Sequence, residues 1–227
     1  SVSFIRNKIS FIKNEMLSDG EIDKYLVSPP EKVAIKVYRE YEKILRRNNA
    51  VDFDDLLKKP VELLMSNEDV LDKYQEKFKY ILIDEYQDTN EVQYKLVKLL
   101  ASKYRNLFVV GDVNQSIYGF RWSNYKNILN FEKDYPEAIS ITLNQNYRST
   151  NTILNAANSV IKNNKERREV NLFSTFGDGV KIKYLRGNDE KDEVKLVIDE
   201  ISKLLNEGYT YNDFAILYRT NAQSRAV

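Results

Sequence analysis

The sequence predicts an α/β fold built on a parallel sheet. Short apolar runs, Tyr80 to Ile83, Leu107 to Val110 and Ile139 to Leu143, alternate with segments of helical periodicity. Each run ends in a polar cluster: Asp84-Glu85, Gly111-Asp112 and Asn144-Gln145-Asn146. Ligands of open parallel sheets bind outside the carboxyl ends of the strands, so three polar strand ends can line one crevice.

The N-terminal fifth reads as helical. Phe4, Ile5, Ile9, Ile12 and Met16 recur at helical spacing, and Gly20 with its polar neighbours is expected to stop that helix. Pro29-Pro30 suit a helix start, and Ala34, Val37, Tyr38, Tyr41, Ile44 and Leu45 mark one face of a helix ending near Asn48-Asn49. Val51 to Leu57 looks like a capped start, with acids where the helix dipole is positive, and capping alone accounts for them. Pro60 is expected to kink or restart that helix, and Asn67 opens another through Val70, Leu71 and Tyr74.

Tyr80 to Ile83 has the length and β-branched content of a strand buried on both faces. Thr89 or Asn90 can cap the next helix, whose inner face holds Val92, Leu96, Val97, Leu99 and Leu100. Past Tyr147-Arg148-Ser149-Thr150, the residues Ile153, Leu154, Ala157, Val160 and Ile161 predict a helix that runs into the charged stretch Lys162 to Glu169. A strand Val180 to Leu185, a long amphipathic helix after Asp189 closed by Gly208, and a last strand Phe214 to Tyr218 predict a second α/β unit.

Composition narrows the chemistry. Cysteine and histidine are both absent from the 227 residues, which removes disulfides, thiol nucleophiles, imidazole bases and Cys/His zinc sites. A formal charge of +1 gives no global field toward a polyanion, so such a site must be local. No run of eighteen apolar residues occurs and the N-terminus lacks the core of a signal peptide, so a cytoplasmic protein is expected.

Adjacent carboxylates at a strand end can divide labour, one holding a hard cation and the other orienting water; a solvated turn is the competing reading. Tyr118-Gly119-Phe120-Arg121-Trp122 packs three aromatics and a cation into five residues. Such rings stack on unpaired bases at roughly 1 to 3 kcal/mol per base. A core aromatic cluster is the alternative.

Three segments in this order form a set: Asp84-Glu85-Tyr86-Gln87-Asp88, then Gly111 to Arg121, then Asn144 to Thr150. Together they resemble motifs II, III and IV of the superfamily 1 DNA helicases of the UvrD/PcrA/Rep type, and Val51 to Leu57 and Phe214 to Arg225 look like flanking segments of that family. The resemblance implies a RecA-like parallel-sheet motor domain, incomplete here, with an N-terminal helical insertion and the start of a second RecA-like domain. Its expected divisions are 1–50 for the end of the insertion, 51–145 for the first motor domain after its phosphate loop, and 146–227 for the start of the second.

It further implies ATP and Mg²⁺ as ligands, with Asp84 on the metal, Glu85 orienting the attacking water and Gln115 sensing the γ-phosphate. Arg148 becomes the arginine finger and Tyr147 stacks on adenine. Single-stranded DNA and duplex junctions are the implied partners, with DNA-repair or replication proteins beside them. Tyr118, Phe120, Arg121, Trp122, Arg219 and Asn221 are the implied DNA contacts. Trp122 departs from the pattern, which has a small residue, usually Gly, at that position, so it reads either as an extra stacking platform or as a packing residue.

None of the seven glycines is followed by Lys, so the sequence holds no Gly-Lys-Ser/Thr phosphate loop. The expectation is therefore a fragment of an ATP-dependent helicase that moves 3′ to 5′ on single-stranded DNA, inactive by itself. A helicase-nuclease, a metal-dependent nuclease and a non-enzymatic single-strand-binding module remain as alternatives.

Overall fold

The computed structural model describes residues 1–165, 170–221 and 223–225. The chain divides into two compact units, Ser1–Leu143 with Asn163–Val170, and Asn144–Lys162 with Asn171–Val227. The expected charged stretch Lys162 to Glu169 lies partly outside the described residues. Among the described residues no helix is long and apolar enough to cross a membrane.

In the first unit, α1 (Val2–Asn14) buries Ile12 against Ile22, Leu26, Ile35 and Tyr38. Gly20 does not end this helix. Met16, at φ 51°, turns the chain, and Gly20 sits inside the short α2 (Asp19–Tyr25), which Ser18 and Glu21 cap reciprocally. Helix α3 (Pro29–Arg47) opens as expected, with Pro29 and Pro30 in the first turn, where backbone donors would lack partners anyway. Glu31 accepts from Ser28 and from Lys8 at 2.7 Å, tying α3 to α1.

Lys13 is fully buried, and its ammonium meets Glu42 and Asp52 at 2.8 Å and Asp55 at 3.0 Å. Burial works against its charge, but the hydrogen bonds to Asp52, Glu42 and Asp55 outweigh it and push the pKa up. Asp52 and Asp55 therefore do more than cap. They anchor α1 to α4 (Asp55–Ser66), while Asp52 also accepts the Asp55 N–H at 2.9 Å. Helix α4 runs through Pro60 without a restart, and Val61 and Leu64, on either side of the next turn, are buried. Helix α5 (Glu68–Lys77) follows Asn67.

Strands β1 (Ile81–Ile83) and β2 (Leu107–Val109) pair in parallel, with Ile81 opposite Leu107 and Ile83 opposite Val109. Helix α6 (Glu91–Ala101), between them, is capped by Asn90 and Gln93 through bonds of 2.9 and 3.0 Å. The expectation of burial on both faces fails. Leu82 is 73% and Phe108 60% exposed, because these register partners share a face that no described residue covers. Helix α7 (Lys126–Asp134) closes the unit, its Phe131 meeting the buried Tyr86 ring edge-on at 5.7 Å.

The third run, Ile139 to Leu143, is not a strand, and neither are Val180 to Leu185 and Phe214 to Tyr218. Ile139, Ile141 and Leu143 are each more than three-quarters exposed. β-propensity describes a fit to a half-buried pleated surface, and among the described residues these runs have no partner strand to supply one. In the second unit, α8 (Asn151–Ile161) and α9 (Glu190–Asn206) form where expected, α9 capped by Asp189 and followed by Gly208 at φ 102°. Asn151 exchanges two side-chain hydrogen bonds with the Ser174 backbone, at 3.1 and 2.9 Å.

Candidate functional site

Strand β1 delivers Asp84 and Glu85 to its carboxyl end, where both side chains are exposed. One Asp84 oxygen accepts the Glu85 N–H at 2.9 Å. Glu85 adopts φ 51°, ψ 42°, a left-handed conformation uncommon for a non-glycine residue, and it starts the tight turn Tyr86–Asp88. That reversal buries Tyr86 and Gln87 while leaving the two carboxylates outward.

The end of β2 lies alongside. Val110 accepts the Tyr86 N–H at 2.9 Å, and Asp112 donates its N–H to Gln87 Oε1 at 3.0 Å. Asp112 in turn caps the Val113–Gln115 turn, accepting from Asn114 N–H and from Gln115 Nε2, each at 2.9 Å. Two of the three expected polar strand ends thus meet on one edge.

An open cleft of about 800 Å³ beside them is lined by Glu85 and Asp88, by Tyr118 to Trp122, and by α1 residues that include Ser10 and Asn14. Burial and the neighbouring Glu85 charge push the Asp88 carboxyl up, against the Gln87 amide and the Tyr118 backbone. The Tyr118 and Phe120 rings lie 5.9 Å apart, and the Arg121 guanidinium sits over both at 5.3 and 5.5 Å. Phe120 remains 67% exposed and available for stacking.

Trp122 is half-buried and packs on α1, its ring 5.2 Å from Phe11 and its indole N–H donating to Ser10 Oγ at 3.2 Å. Its φ of 66° lies in the region that glycine occupies without strain, which is a physical reason for a small residue at this position. Sequence reasoning missed the part played by α1. Asn14 bridges Asp54 at 2.8 Å and the helix cap Asn90 at 2.7 Å, and no local pattern reports a bond spanning 76 residues.

Among the described residues no three acidic side chains converge to hold a metal by themselves. Asp84, exposed, with a hard oxygen ligand and Glu85 next to it, fits a cation that binds through one or two carboxylates and completes its shell with water and phosphate oxygens, as Mg²⁺ does.

The second unit carries the remaining candidates. Asn146 Oδ1 accepts the backbone N–H groups of Arg148 and Ser149 at 2.9 and 2.7 Å, so an Asx turn presents Tyr147, 72% exposed, and Arg148 to solvent. The bridge between Gln145 and Phe173 holds that turn in place. Arg219 and Asn221 lie exposed on a turn where Gln223 Oε1 accepts the N–H groups of Arg219 and Thr220 at 3.0 and 2.9 Å.

Residues 3–136 match the UvrD/REP helicase N-terminal domain family, and residues 141–227 match the UvrD-like helicase C-terminal domain family. The chain is 53% identical over 219 residues to the ATP-dependent DNA helicase PcrA of Staphylococcus aureus (strain Mu50 / ATCC 700699). It is 50% identical over the same length to the enzyme of that name from Staphylococcus epidermidis (strain ATCC 12228 / FDA PCI 1200). Each alignment covers 96% of this chain but only 30% of the relative.

Proposed function

The chain belongs to the UvrD/REP helicase family, and from that premise we propose that it is part of an ATP-dependent DNA helicase. ATP hydrolysis would be coupled to 3′ to 5′ movement along single-stranded DNA and to duplex unwinding in repair or replication. Residues 1–50 are assigned to the end of a helical insertion, 51–145 to a RecA-like first motor domain after its phosphate loop, and 146–227 to the start of a second. The boundary of the compact units at Leu143/Asn144 supports the last division.

The observation that carries the reading is the shared edge of β1 and β2. It sets Glu85 beside the Gln115 turn, and the same Glu85 lines the cleft of Tyr118 and Phe120. Asp84 would hold Mg²⁺, which when bound neutralises charge between the β- and γ-phosphates. Glu85 orients and deprotonates the attacking water. Gln115, leaving Asp112, would hydrogen-bond the γ-phosphate without adding charge. Arg148 spreads positive charge over the transferring phosphoryl oxygens, a task suited to a planar and permanently charged guanidinium. Tyr147 stacks on the adenine. Tyr118, Phe120 and Arg121 hold the single strand, with Trp122 bracing their segment against α1 and Arg219 and Asn221 contacting the same strand from the second motor domain.

The test is DNA-stimulated phosphate release by the full-length protein. Glu85→Gln is expected to abolish turnover while nucleotide binding persists. Near-normal hydrolysis by that variant removes Glu85 as the base.

A further inference from the structure

Gln87 is 1% exposed at the paired strand ends and has no part in the roles proposed above. Both ends of its amide are used. Nε2 donates to Glu85 Oε2 at 2.7 Å, and Oε1 accepts the Asp112 N–H at 3.0 Å. A backbone N–H only donates and a carboxylate only accepts, so these partners dictate which way the amide points. We propose that Gln87 is a positioning residue, which fixes the Glu85 carboxylate relative to the Asp112–Gln115 turn. The proposal rests on the reading of Glu85 as the water-orienting base.

Glu85 needs such a partner. Its side chain is exposed and its backbone is left-handed, so no packing determines where its oxygens lie. The bond from Gln87 occupies Oε2 and leaves Oε1 as the oxygen that faces water. Asp88 Oδ2 lies 3.5 Å from the same amide nitrogen, at the limit of a hydrogen bond, so Glu85 is the main acceptor.

The far end of the amide is equally constrained. A Cβ on Gly111 would fall 2.5 Å from Gln87 Oε1, so glycine there makes room for the buried amide. Asp112, held by that oxygen through its N–H, binds Gln115 through its carboxylate at 2.9 Å. An unbroken line therefore runs Glu85, Gln87, Asp112, Gln115. It spans the ends of both strands and holds the base at a set distance from the turn that carries the γ-phosphate sensor.

The experiment measures single-turnover ATP hydrolysis and nucleotide affinity in full-length protein saturated with single-stranded DNA. Gln87→Met keeps length and burial but removes both bonds, and Gln87→Leu removes both bonds with a shorter, branched apolar side chain. Misplacing a reacting group by about 1 Å costs on the order of 10²-fold, and a loss of that size in the hydrolysis rate is expected for both variants, with ATP affinity within about twofold of wild type. A cycle with Glu85→Gln separates positioning from general damage. If Gln87 acts through Glu85, Gln87→Met leaves the residual rate of Glu85→Gln unchanged.

A wild-type rate in either Gln87 variant overturns the proposal, as does a Gln87→Met loss that recurs in full on the Glu85→Gln background. Equal losses of rate and affinity also overturn it, because they report disrupted structure. If Glu85→Gln itself turns over normally, the reading of the base fails, and the positioning role with it. An inactive Glu85→Gln beside fully active Gln87 variants sinks only the positioning role.

Discussion

Lys13 is buried in the last turn of α1, and its three acidic partners come from α3, from the loop after it and from α4. Removing one partner of a buried ionic group costs about 3 to 5 kcal/mol, and Lys13→Met is expected to destabilise the first unit by that amount, read as a lowered unfolding midpoint. The same cluster predicts an acid dependence. Burial alone would raise the Asp52 carboxyl, but Lys13, the Asp55 backbone and the Tyr41 hydroxyl hold it below its usual range. A carboxyl with a depressed folded pKa contributes stability that is present above its unfolded value, about 3.9, and lost as the pH falls through the lowered one. Thermal unfolding midpoints should therefore drop below about pH 4 in the wild type, and the drop should be smaller in Lys13→Met. At Arg148 the expected effect is catalytic: Arg148→Ala in the full-length protein should lower ATP turnover by roughly 10³-fold, measured as phosphate release, with folding intact because the side chain is exposed.

Among the elements, several helix ends with local signals formed where the residue pattern put them, although Gly20 did not stop α1 and Pro60 did not restart α4. Ser28-Pro29-Pro30 opens α3, Asn90 and Gln93 open α6, and Gly208 follows α9, because caps and left-handed turns depend on neighbours within a few positions. Ile139 to Leu143 had an equally clear apolar run and stayed irregular, since a strand needs a partner that may lie anywhere in the chain. Two expectations test this view of local and distant support. Asn90→Ala removes a cap and leaves the buried Asn14 Oδ1 without its donor, which should cost about 2 to 4 kcal/mol by thermal or urea unfolding. At Trp122, replacement by Gly should be less destabilising than replacement by Ala by about 1 kcal/mol, because only Gly relieves the left-handed backbone; the reverse order in melting temperatures would show that the φ of 66° carries no strain.

For the molecule as a whole, the two compact units coincide closely with the two family matches, and the chain spans about 30% of the length of its curated relatives. With no Gly-Lys-Ser/Thr loop in residues 1–227, this stretch expressed alone should show no DNA-stimulated ATP hydrolysis above background, whereas the full-length protein should. The family was legible from three motifs in their order, and the roles that the resemblance implies for their residues stand as proposals. Asp84-Glu85 follows β1, and the absence of His and Cys left carboxylates, Arg, Lys, Tyr and Gln as the groups available for chemistry. The surroundings of those residues were not legible. The buried Gln87 amide between Glu85 and Asp112, the Asn14 bridge to Asn90, the Trp122 contact with Ser10 and the acids around Lys13 join positions up to 112 residues apart. Periodicity and capping report energies set within a few residues, whereas these contacts exist only once strand pairing and helix packing have brought distant segments together, and only the tertiary structure decides them.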